Sequence, residues 1–67
     1  MTENITQTTP QELASQAQSA YEAEEFQQAA RLFEEVARLY KLAEEDVLAA
    51  EALNNRSVAL LKAGDAK

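Results

Sequence analysis

The stretch Phe26 to Tyr40, FQQAARLFEEVARLY, decides the fold. Its apolar residues Phe26, Ala29, Ala30, Phe33, Val36, Ala37 and Tyr40 recur at steps of three and one. That spacing marks one face of a helix with 3.6 residues per turn. Leu32 and Leu39 lie beside this face and widen it, while the residues between are mostly Gln, Arg and Glu. The spacing therefore predicts an amphipathic helix over 26–42 that buries one broad stripe.

Working toward the N-terminus, a second stripe runs through Leu13, Ala17, Ala20 and Tyr21. The polar stretch Glu22-Ala23-Glu24-Glu25 separates it from the first. Its start is marked by Thr9-Pro10-Gln11-Glu12, in which Thr9 can cap, Pro10 suits the first helical position and Glu12 can close a capping box. A helix over 10–23 follows. Residues 1–9, MTENITQTT, are polar apart from Ile5 and Met1 and read as a mobile tail. Toward the C-terminus, Val47, Ala50, Leu53, Ser57, Leu60 and Leu61 form a third set, with Gly64 placed to end the helix in the left-handed conformation. Only a phase change and the acidic cluster Glu44-Glu45-Asp46 mark the break before it, and acidic residues suit a helix start. The expectation is an all-α chain of three helices, 10–23, 26–42 and 46–63, in one domain spanning 10–67.

Composition excludes several function classes. The chain has 67 residues without Cys or His, which removes disulfides and the usual zinc sites and leaves no nucleophile–base pair. Twelve acidic residues against six basic ones give a net charge of −6, and the cations form no stripe. Nucleic acid and anionic membrane surfaces are therefore unfavourable partners, whereas a basic protein or peptide is the electrostatic complement. Residues 1–9 lack the basic and apolar regions of a secretory signal, so a cytoplasmic location is expected, and the sequons Asn4-Ile5-Thr6 and Asn55-Arg56-Ser57 are read as chance. The paired carboxylates Glu24-Glu25, Glu34-Glu35 and Glu44-Glu45-Asp46 point in different directions on helices and read as solvated faces. No catalytic residue, cofactor or metal site is expected.

A shift of forty residues lays the first helix on the third: Leu13 on Leu53, Ala17 on Ser57, Ala20 on Leu60 and Tyr21 on Leu61. Together with Ala52 to Asp65, ALNNRSVALLKAGD, and with Ala20-Tyr21 followed by Glu25 to Val36, EFQQAARLFEEV, this pattern resembles the tetratricopeptide repeats. The spacing is similar to the subclass with long repeats. The resemblance covers about Glu12 to Asp65 and implies a helical hairpin plus the first helix of a second repeat, part of a right-handed α-α superhelix. It implies that the chain is one and a half repeats of a longer array, acting as a non-catalytic protein-interaction scaffold. In that pattern Ala29 is a small helix-contact residue, and Phe33 and Val36 fill the space between helices. Two departures stand out: Glu24 occupies a turn position where glycine is common, and no proline follows the second helix.

First helices of such repeats line a concave groove, which makes Gln18, Tyr21, Asn54, Asn55, Val58, Leu61 and Lys62 the candidate peptide-binding residues, with Gln11, Ala14 and Glu22 at the margin. Asn54 and Asn55 draw notice because asparagine is a mediocre helix former. Asn55 matches an asparagine of the carboxylate clamp known in the family, but Ala14 and Gln18 stand where that clamp would have Lys and Asn, so a clamp is not expected. Tyr21, Val58 and Leu61 have the simpler reading of packing between helices. The competing architecture is a self-standing three-helix bundle resembling microtubule-interacting-and-trafficking domains, serving as a peptide-binding or oligomerisation module. Leu60 and Leu61, so close to the end, would lie partly uncovered, and the exposed face of the third helix is a candidate surface for a homodimer.

Overall fold

The computed structural model describes residues 9–65 and the side chains of 9–64. Three helices account for nearly all of it: α1 (Pro10–Glu22), α2 (Phe26–Leu42) and α3 (Asp46–Asp65), with no strand among the described residues. The tail expected over 1–9 lies outside the described residues, except for Thr9.

Thr9 starts α1 as the sequence predicts. The Glu12 N–H donates to Thr9 Oγ1 at 3.1 Å, and the Thr9 N–H donates to Glu12 Oε1 at 3.4 Å. This reciprocal box satisfies two backbone donors that the first turn leaves open, and such caps stabilise a helix by about 1 kcal/mol.

The two turns are built alike. Glu24 has φ 63° and Glu44 has φ 61°, both in the left-handed region. The Glu25 N–H reaches back to the Ala20 carbonyl at 2.9 Å and the Glu24 N–H to the Tyr21 carbonyl at 3.0 Å. Twenty residues on, Glu45 bonds Tyr40 at 2.8 Å and Glu44 bonds Lys41 at 3.0 Å. This pairing of bonds is the Schellman motif, which closes orphan carbonyls and usually places glycine at the left-handed position. Here Ala-Glu-Glu does the work twice, at 23–25 and 43–45.

Gly64 does not play the expected role. It has no positive φ and lies within α3, which runs on to Asp65. With α3 continuing, the left-handed conformation is not used there, and the helices that do use it end on glutamates.

The core is dominated by alanine. Ala17, Ala20, Ala29, Ala30, Phe33 and Ala59 form one buried cluster, flanked by Tyr21 and Leu32. Val36, Ala37 and Ala52 form a second, flanked by Leu13, Ala14 and Tyr40. Small side chains let helix axes approach closely, so α2 meets both neighbours at short range. Packing is serial: α1 and α3 each lie along α2 and meet one another at most marginally. The Cα envelope measures 43 × 28 × 12 Å, a thin slab rather than a cylinder.

The orientation of α3 corrects the sequence expectation. Its buried side is Ala49, Ala52 and Ala59, with Arg56 and Ala63 partly covered. The expected stripe of Val47, Ala50, Leu53, Ser57, Leu60 and Leu61 is exposed instead. Ser57, expected to be a small contact residue equivalent to Ala17, faces solvent, while Ala17 is fully buried. The physical reason is that α2 is approached through alanines, so the leucines one position away are carried around the helix by about 100°. Leu60 and Leu61 are left uncovered as expected, at 44% and 70% exposure.

Candidate functional site

Phe33, in the middle of α2, is 4% exposed and sits where α1 and α3 both approach. Gln18 and Tyr21 stand one turn apart on α1, and Asn55 and Val58 one turn apart on α3. These four side chains and Phe33 line one cleft of about 220 Å³. It holds roughly one large side chain or a short stretch of backbone. The floor is aromatic, one wall carries a carboxamide and a phenol, and the other a carboxamide and an isopropyl group.

The walls are held in place from outside the cleft. Tyr21 packs edge-on against Phe26, with ring centroids 5.2 Å apart and planes at 74°. That is the favoured aromatic geometry. Gln18 Nε2 donates to Glu22 Oε2 at 3.4 Å, one turn along. On α3, Arg56 lies beside Asn55 and reaches Glu34 of α2 at 3.7 Å, an ion pair that links the two helices next to the site. The amides of Gln18 and Asn55 each combine donors and an acceptor, which suits recognition of a peptide backbone.

Of the candidate groove residues, Gln18, Tyr21, Asn55 and Val58 are thus brought together. Lys62 follows Val58 by one turn on the same side of α3 and is exposed, beyond the cleft's lining. Asn54 and Leu61 are turned toward solvent away from α1, because neighbouring helix positions differ by about 100°. At the margin, Gln11 and Glu22 are exposed, whereas Ala14 packs against the second core cluster. Phe33 was assigned by its spacing to the core. It is both core and floor, and its position midway along the central helix was the available signal. A wider hollow of about 470 Å³ lies by the first turn, lined by Glu24, Glu25, Phe26, Gln27, Gln28 and Ala63. It is a surface depression rimmed by long polar side chains, without the three-helix enclosure of the smaller cleft.

The remaining charges are superficial. Glu35 and Arg38 form a hydrogen-bonded ion pair on an exposed part of α2. That hydrogen bond holds the Glu35 carboxyl below its usual value and raises Arg38 above its own. Lys41 approaches Asp46 at 3.8 Å across the second turn. Among the described residues no group of three His, Cys, Asp or Glu could hold a metal ion. None of the described helices is long and apolar enough to cross a membrane.

No family model matches the chain, and comparisons with curated proteins and with solved structures also find no match.

Proposed function

We propose that the chain is a non-catalytic protein-interaction module of the tetratricopeptide type, gripping a peptide segment in the cleft between α1 and α3. The observation that carries this reading is the convergence of Gln18 and Tyr21 with Asn55 and Val58 over Phe33. The serial packing adds to it, since α1 and α3 stand apart and leave a groove between them. A closed bundle with α3 packed along both other helices would have none, and the bundle alternative is weaker for that reason. The ligand fitting the cleft presents one apolar side chain to Phe33 and Val58 and backbone amides to Gln18 and Asn55. The net charge of −6 favours a ligand with basic flanks.

Peptides selected from a random library on the full chain provide the test. Val58→Glu and Asn55→Ala should each weaken such peptides about tenfold or more, the effect of losing one central contact. Both positions face solvent or the cleft, so far-UV circular dichroism should not change. Peptides that bind both variants as well as the parent would refute the assignment.

A further inference from the structure

We propose that the outward face of α3 pairs antiparallel with the same face of a second copy of this chain. That face is Ala50, Leu53, Ser57, Leu60 and Gly64, spaced by three and four residues like the seam of a two-helix coil. All five are exposed, Leu53 at 48% and Leu60 at 44%. Its flank adds Val47 at 74% and Leu61 at 70%. Charged residues make up 27% of the chain, yet none falls on this seam or its flank between Val47 and Gly64, and Asp46 and Asp65 extend them only at the two ends. Toward α2 the surface borders a recess of about 380 Å³, apolar at Ala37, Ala49, Ala50 and Leu53 and rimmed by the charged Glu34, Arg38, Lys41 and Asp46. The surface is distinct from the cleft, to which Asn55 and Val58 contribute from another side of α3.

The spacing of large and small residues selects a second copy as the occupant. Small residues (Ala50, Ser57, Gly64) and leucines (Leu53, Leu60) each recur every seven positions. Turned end for end, one copy sets each leucine against a small residue of the other: Leu53 on Ser57 and Leu60 on Ala50. Large-against-small interdigitation is how helix pairs fill space without voids. Charge does not oppose the pairing. Glu51 and Lys62 lie roughly 140–160° around α3 from the seam and face away from the second copy. Arg56 is engaged by Glu34 of α2. With three carboxylates and two cations, α3 carries a net charge of only −1 of the chain's −6, so repulsion between two copies is weak along this helix.

The seam is about 21 Å long, from the helical rise between Ala50 and Gly64. Burial on the order of 1,000 Å² in total lies at the lower edge of specific interfaces and corresponds to a reversible dimer in the micromolar range. Sedimentation velocity of the full chain from about 5 µM to about 1 mM should show monomer giving way to dimer. The melting temperature should rise over the same range. The double variant Leu53→Glu/Leu60→Glu should stay monomeric, with unchanged circular dichroism and a concentration-independent melting temperature. The chain has no cysteine, so single thiols report orientation cleanly. Asn54→Cys, near the two-fold axis, should link with a short bis-maleimide. Ala50→Cys should not, since its two copies lie about 15 Å apart along the pair. A chain that remains monomeric at about 1 mM overturns the proposal and gives the face to a different occupant. Dimerisation of the double variant, or preferential linking at position 50, overturns it equally.

Discussion

Replacing Glu24 or Glu44 by glycine should make this protein more stable. Both residues hold a left-handed backbone, with φ 63° and 61°. In an L-residue that conformation costs roughly 1–2 kcal/mol, because the β-carbon crowds the following carbonyl. Glycine removes the β-carbon but brings a freer unfolded chain, which takes back about 0.4–1 kcal/mol. The net gain is about 0.5–1 kcal/mol per site, and a domain of this size converts 1 kcal/mol into about 4–8 °C of melting temperature. Each single variant should therefore melt about 2–8 °C higher. The two turns lie at opposite ends of α2, about 25 Å apart by helical rise, so the double variant should show the sum. Two controls isolate the backbone effect. Glu24→Ala keeps the β-carbon while removing a negative charge from a helix C-terminus, so it should gain only a few tenths of a kcal/mol. Ala23→Gly and Ala43→Gly alter caps at φ −83° and −86°. These have no strain to relieve and should lose about 0.5–1 kcal/mol. Thermal denaturation followed at 222 nm, at one fixed protein concentration, is sufficient. If Glu24→Gly and Ala23→Gly shift the melting point in the same direction, or Glu24→Gly does no better than Glu24→Ala, the strain account is wrong.

The alanine contact of α3 can be tested by volume. Ala52→Leu adds three carbons where α2 and α3 meet and should cost about 1–3 kcal/mol, whereas Leu61→Ala on the open side should change stability by less than about 0.5 kcal/mol; chemical denaturation of both decides whether the buried phase of α3 is right. Acid should weaken the Glu35–Arg38 pair. The hydrogen bond from Arg38 depresses the Glu35 carboxyl below the usual carboxylate range, so the pair's contribution is complete above the unfolded carboxylate's value and is lost as pH falls through the lower folded one. Because the pair lies at the surface, Glu35→Gln should move the neutral-pH melting point by no more than about 2 °C, and a larger shift would contradict the superficial role given to it.

Helix boundaries were legible where chemistry is explicit. Thr9, Pro10 and Glu12 announce α1 by side-chain type, and the steps of three and one across Phe26–Tyr40 leave α2 no other face to bury. The break before Asp46 is readable only through a phase change and its acidic cluster, because the turn contains no glycine or proline. The phase of α3 was misread for a related reason. Leucine outweighs alanine in any reading by hydrophobicity, yet α2 approaches through small residues and selects Ala49, Ala52 and Ala59. The resemblance places Asn54 and Leu61 in the groove with Asn55 and Val58, but one position of phase rotates a helix by about 100°, which turns Asn54 and Leu61 out of the cleft. Of the two left-handed glutamates, Glu24 stands at a turn position where glycine is common, whereas Glu44 carries no such sign and the only glycine lies elsewhere. Phe33 shows the limit on the site: periodicity states that a residue is inside, not that it also forms the floor of an opening.

The serial packing also governs how the chain folds and comes apart. Contacts join helices adjacent in sequence, so closing the structure requires only short loops, and low contact order of this kind favours folding within microseconds to milliseconds. The system behaves as a short row of neighbours in which α1 or α3 can peel from α2 with little regard for the other. A ligand lying across the cleft would touch both outer helices at once. It would supply a coupling that the polypeptide does not build for itself, turning two independent local openings into a single cooperative one. Amide exchange in α1 and α3 should then slow together on binding.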